Sequence, residues 1–348
     1  MDKPIKYTTT DEQLLKLKKQ GLIINDEQGA KKALNTYGYS NLIKGYRDPY
    51  TYTENGKKLY RSGVTFEQIL SLYTLDKNLR NSVLAALLDF EEYLKEAVAN
   101  VVADSFGVNQ DMYLKFENYR DKRRRKYRFS LAGILETMRE TLETDRNPIC
   151  HYSEKYGTVP PWILFKSLYF STVANFISLL KPREKILLSS KLYNSDSLEL
   201  DNNTINTLMI DTLFICLEYR NLSAHGARIY NHSCSSRLRF AEDEYLSLHG
   251  FNLLLFILNI LEYRVPYTYL KNALTRGLNM HCESYPDDIT YLGQILDINI
   301  THTVPVYRTD KSKIYHYDMH CSGIKSPARL ELTEALKSGL TACKRCGK

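Results

Sequence analysis

A mainly α-helical protein with a small α+β module at its C-terminal end is what this sequence predicts, on three observations. Apolar residues recur at helical spacing in segment after segment, most clearly as Leu84, Leu87, Leu88, Leu94, Val98, Val101 and Val102. The first three hundred residues show no strand-rich region and no nucleotide-binding glycine loop. The tail differs in kind, because three of the seven cysteines cluster there beside histidines. These features place a helical domain at residues 1–300 and a separate module at 301–348.

Taken in order, residues 11–21 read as a short helix carrying Leu14, Leu15 and Leu17 and ended by Gly21. A second runs over Gln28–Thr36. The aromatic stretch from Tyr37 to Tyr52 holds Gly45, Asp48 and Pro49 and reads as turns. The stretch from about Thr65 to Phe106 is helical with a break near Asp76. Glu91 and Lys95 fall inside its apolar stripe, where a carboxylate has to be paired because an isolated buried charge costs several kcal/mol. Pairing within the helix satisfies that need; Glu91 reaching the Arg220 segment is the sharper expectation. Seven of the nine residues from Arg120 to Arg128 are basic, so the run lies in solvent, as a linker or as a patch tracking phosphates. A helix at Leu131–Glu143 follows, then loops marked by Pro148, Gly157, Pro160 and Pro161, with His151 among them. Trp162 to Leu180 reads as one apolar helix stopped by Pro182, and Lys185–Tyr193 as a shorter one. Asp201, Asn202 or Asn203 then caps a helix over Thr204–Ala224. Leu248–Tyr263 is apolar nearly all round.

At 348 residues, 43% of them hydrophobic, the chain can bury a substantial core. No apolar run reaches the roughly eighteen residues a membrane span needs, and Met1-Asp2-Lys3-Pro4 is no signal peptide. A cytoplasmic protein with no membrane partner is expected. The net charge of +7 is uneven: residues 301–348 hold nine Lys/Arg against four Asp/Glu. That asymmetry favours a polyanion docked at the tail. The 27 tyrosines suit stacking on bases, although most tyrosines simply pack cores.

The stretch Glu218-Tyr219-Arg220-Asn221-Leu222-Ser223-Ala224-His225-Gly226 carries the chemistry. Asn221 and His225 stand four apart and share a helix face. Arg220 and His225 lie roughly 140° apart round a regular helix. They converge on one phosphate only if the helix frays at Gly226 or a second copy of the chain supplies the partner. RNA brings its own nucleophile, the 2′-hydroxyl, so cleavage needs no metal. His225, with an ordinary pKa of about 6.5, suits proton transfer. Arg220 suits the charge that builds on the phosphate. Asn221 orients, and Ser223 is an extra donor. Arg and His near a helix end also serve merely to neutralise its dipole.

Arg-Asn-(three residues)-His near a helix end resembles the signature of HEPN-type ribonucleases. With Tyr37-Gly38-Tyr39, Gly45-Tyr46, Phe66, Leu75-Asp76, Leu79-Arg80, Glu91, His151-Tyr152, Tyr156-Gly157 and Pro161-Trp162, the chain over roughly residues 5–265 resembles the Abi family of bacterial abortive-infection proteins. The resemblance implies a HEPN-like helical bundle, a homodimer with a shared site, and a metal-independent endoribonuclease defending against bacteriophage. Glu91 and His151 gain supporting roles. A small non-coding RNA is the implied partner. The alternative is a non-catalytic RNA-binding defence protein that holds such an RNA.

In the tail, Cys343-Lys344-Arg345-Cys346 wraps two thiolates round a metal, and His316 with Cys321 closes a tetrahedral Zn²⁺ site; His320 is the rival ligand, though its adjacency to Cys321 makes joint ligation awkward. The pattern resembles small Ada-like metal-binding modules. A closed site is structural. Lys122, Arg123, Arg124 and Arg125 of the basic run, with Lys344 and Arg345, are the expected RNA contacts.

Overall fold

The computed structural model describes residues 7–121, 129–194, 198–239, 248–300, 305–321 and 324–346. The architecture is mostly helical, as expected. The chain divides into two compact units, one of residues 1–78 with 273–348 and one of residues 79–272. No helix among the described residues is long and apolar enough to cross a membrane.

In the first unit, α1 (Thr10–Lys19) begins at Thr9, whose hydroxyl accepts from the Glu12 amide while Glu12 reaches back to the Thr9 amide. Leu14 and Leu17 are buried, whereas Leu15, expected on the same apolar face, is exposed. After α2 (Glu27–Tyr37), the chain departs from the all-helical expectation. The strands β1 (Thr51–Glu54) and β2 (Lys57–Tyr60) pair antiparallel about Asn55-Gly56. Both turn residues have positive φ, 49° and 72°, which is what a two-residue hairpin requires.

The helix α3 (Phe66–Phe106) shows no break near Asp76. Asp76 is fully buried and accepts a hydrogen bond from Tyr46 Oη at 2.5 Å, so its carboxylate does not compete for the helix's own amides. After it come α4 (Gln110–Tyr113) and α5 (Leu131–Leu142).

His151, expected in a loop, lies on α6 (Ile149–Tyr156). The single apolar helix expected from Trp162 to Leu180 is two: α7 (Pro161–Ser167) and α8 (Phe170–Leu179), parted where Leu168 and Tyr169 turn extended. Pro182 does not stop a helix but opens α9 (Pro182–Leu192), since an N-terminal turn needs no amide from proline. The motif helix α10 (Asn202–Ala224) starts at Asp201, whose carboxylate accepts from the Asn203 and Thr204 amides. Those bonds, the Thr204 hydroxyl's foremost, hold the Asp201 carboxyl below its ordinary range. In the second unit α10 packs on α8 and α9 and meets α11 (Gly250–Asn259), burying Leu208, Leu213, Ile215 and Cys216.

The first unit is completed by α12 (Val265–Ser284), of which residues 273–284 belong to it, by α13 (Asp288–Leu296) and by the tail. In the tail β3 (Pro305–Arg308) pairs with β5 (Ala328–Glu331), and β4 (Ile314–Tyr315) pairs parallel with β6 (Thr341–Ala342). With α14 (Leu332–Lys337) they enclose a small core of Val306, Tyr315, Leu332, Ala335 and Leu340.

Candidate functional site

The motif lies at the C-terminal end of α10, which stays α-helical to Ala224. The His225 amide donates to the Asn221 carbonyl at 3.0 Å, Gly226 to Ser223, and Ala227 to Leu222. This is a six-to-one closure around Gly226, whose φ of 71° favours a residue without Cβ. The helix therefore does not fray, and Arg220 and His225 leave it in different directions.

Glu91 meets both of its expected partners. Its Oε1 lies 2.7 Å from Lys95 Nζ, one turn along α3, and its Oε2 lies 3.7 Å from Arg220 Nε. Glu91 is 7% exposed. Neither Glu91 Oε2 nor Arg220 Nε has a hydrogen-bond partner, so the 3.7 Å pairing is electrostatic and leaves the guanidinium's donors uncommitted on that edge. A second edge makes a long contact, 3.5 Å from Nη1 to Asn221 Oδ1. The Arg220 side chain is part-exposed, and Asn221 and His225 are exposed. Ser223 turns the other way: it is buried, and its Oγ has no partner. Glu91 and Lys95 also line an open cleft of about 650 Å³ with Trp162, Tyr93 and Tyr263.

His151 is exposed on α6, its ring edge-on to Tyr152 and Tyr156 at 5.7 and 6.3 Å. Lys122, Arg123, Arg124 and Arg125 lie outside the described residues. Lys344 and Arg345 are exposed in the tail.

Residues that the sequence reading left unassigned fasten the turn after His225. Arg80 Nη1 donates to the Ala227 carbonyl at 3.3 Å. Glu218 accepts from the Ser235 amide at 2.9 Å and its hydroxyl at 2.7 Å, and faces His232 Nε2 at 2.7 Å. Burial opposes the Glu218 charge, but these hydrogen bonds outweigh it and hold the carboxyl below its ordinary 4.5. Cys234 approaches the same carboxylate, and burial pushes its thiol up to about 12, so it stays a neutral thiol. Glu218, His232 and Cys234 thus form an anchor. Two turns earlier, Asp211 accepts from the Arg239 amide at 2.8 Å and Nε at 2.7 Å. Asp211 is buried, and a buried carboxylate needs such donors.

The tail gathers His316, Cys321, Cys343 and Cys346, with all ligand atoms within 4.8 Å of one another. The parallel register Tyr315↔Ala342 sets His316 beside Cys343. Cys321 Sγ and Cys343 Sγ are 4.0 Å apart, and Cys346 Sγ and His316 Nδ1 are 3.7 Å apart. A tetrahedral zinc with Zn–S of about 2.3 Å and Zn–N of about 2.0 Å sets its ligands roughly 3.5 to 3.8 Å apart. The cluster fits such an ion with small adjustments. Backbone amides of Arg345 and Cys346 directed at Cys343 lower its thiol, which favours a thiolate ligand.

A family model described as an Abi-like protein matches residues 32–231. No curated protein and no solved structure matches the chain.

Proposed function

Since the chain belongs to the Abi-like protein family, we propose that it acts in abortive-infection defence against bacteriophage as a HEPN-type, metal-independent endoribonuclease. The observation that carries this reading is the pairing of buried Glu91 with Arg220 at the end of an intact helix. Glu91 steadies the guanidinium without saturating it, so its remaining donors are available to a phosphate. His225, exposed at the helix C-cap, takes the proton of the attacking 2′-hydroxyl or delivers one to the leaving 5′-oxygen. Asn221 holds the phosphate. The products are a 2′,3′-cyclic phosphate and a 5′-hydroxyl.

Because α10 is regular to Ala224, Arg220 and His225 of one chain point apart. A homodimer in which each chain completes the other's site supports convergence on one phosphate. The Cys3His cluster binds a structural Zn²⁺ and presents Lys344 and Arg345 to RNA. A small non-coding RNA is the proposed partner that controls the nuclease.

Incubating purified protein with RNA and identifying the product ends tests the reading. His225→Ala and Arg220→Ala should each lower cleavage by at least about a hundredfold, the scale of a lost general acid or base. A wild-type chain that binds RNA and leaves it uncut would replace the nuclease with a non-catalytic RNA holder.

A further inference from the structure

The first unit carries a charged cleft to which neither the sequence motifs nor the proposed nuclease gives a role. It lies between the last turns of α1 and the β1–β2 hairpin and measures about 710 Å³. Lys16 and Lys19 line it from α1, Lys57 and Lys58 from the start of β2, and Arg47 from the segment before β1. Glu12 is the one carboxylate on its wall, and that group is occupied by the Thr9 amide at 2.7 Å. Lys58 pairs with Asp48. Lys16, Lys19, Lys57 and Arg47 are left without a carboxylate partner among the described residues.

The fold assembles this charge deliberately. The Tyr60 amide donates to the Gln20 carbonyl at 2.9 Å, which docks β2 against the end of α1. The Asn55-Gly56 turn then sets Lys57 and Lys58 at the cleft. Around the cleft several buried polar atoms have no partner. Gln20 Oε1, an acceptor, and Arg47 Nε, Tyr39 Oη and Tyr60 Oη are all buried without a hydrogen-bond partner; Gln20 and Arg47 stand on the cleft wall, and Tyr60 is only 5% exposed. Lys16 Nζ stands 5.5 Å from the Tyr39 ring centroid. Buried donors without acceptors are rare, and each is costly. The four cations on the cleft wall have no anion of their own, and an acceptor-rich anion supplies one.

We propose that this cleft binds the phosphate chain of a nucleoside polyphosphate. Its size falls within the range for small-molecule sites. A triphosphate brings several negative charges into a volume of that scale, matching the clustered cations. A single RNA strand spreads one charge per nucleotide and meets them less well. The proposal stands whether or not the chain cuts RNA.

Calorimetric titration of the full chain with ATP and with inorganic tripolyphosphate tests it. Both should bind, more weakly as salt is raised. Arg47→Gln should weaken binding about tenfold, as loss of a charge-assisted hydrogen bond does. Lys16 and Lys19 are exposed, so Lys16→Gln with Lys19→Gln should weaken it similarly without touching the fold. Circular dichroism checks that Arg47→Gln folds. The proposal is overturned if neither probe binds or if binding ignores the lysine pair. It is equally overturned if a short single-stranded RNA depends on these residues while both polyphosphates are ignored.

Discussion

Glu91 shows how one buried carboxylate ties two segments together. Lys95 neutralises it locally at 2.7 Å, which alone would satisfy the helix, yet its other oxygen faces Arg220. Glu91→Gln keeps the volume and removes the charge. We predict that it lowers stability by about 1–3 kcal/mol in chemical denaturation and sharply cuts RNA cleavage. Equal loss of fold and activity would mean that Glu91 is structural alone. Glu218 makes a pH prediction. Its folded-state carboxyl is held below the ordinary value, so its contribution is present above that value and is lost as pH falls through the folded one. Glu218→Gln should therefore flatten the acid limb of the stability profile below about pH 4.5 while changing little at neutral pH beyond a constant offset. An unchanged acid limb would count against the anchor.

At the scale of elements, the end of α10 decides how the motif is displayed. Gly226 closes the helix with φ of 71°, and a Cβ there would meet nothing within 4 Å. The cost of Gly226→Ala is thus conformational, about 1–2 kcal/mol, and a smaller effect would show that the turn relaxes easily. Asp201→Ala at the other end should cost about 1 kcal/mol through loss of the N-cap. Both are readable in thermal or chemical unfolding. The tail is an element of a different sort, with a core of five residues that is too small to stand without a crosslink. Chelation, or Cys343→Ser, should release zinc and unfold residues 305–346, seen as new proteolytic sensitivity there. A tail that resists protease without metal would remove the zinc from the argument.

For the whole molecule, the proposed nuclease stands or falls with a second chain. Light scattering at assay concentration should give a dimer. Mixing Arg220→Ala with His225→Ala chains should restore part of the activity if sites are shared, since some mixed sites keep both groups. A monomeric, active protein would require Arg220 and His225 to work together from one helix, which the intact turn at Gly226 opposes.

Much of this was legible in the residues themselves. Helical periodicity gave the architecture, because one face of each helix must leave water, and Gly226 marked the helix end because only glycine adopts that turn freely. Cysteine spacing selected His316, Cys321, Cys343 and Cys346, because a tetrahedral ion needs four soft donors that close on one point. The pairing of Glu91 with some cation followed from its place in an apolar stripe. Lys95 and the Arg220 segment were both candidates, and tertiary structure decided that they share the one carboxylate, because Arg220 is distant in sequence and only packing sets the 3.7 Å approach. It also decided that Asp76 would not break α3, since its partner Tyr46 comes from another segment. The hairpin that gathers Lys57 and Lys58 against α1 escaped the sequence reading for the same reason. Two four-residue strands carry too little periodicity to be seen, and their stability comes from what they dock upon.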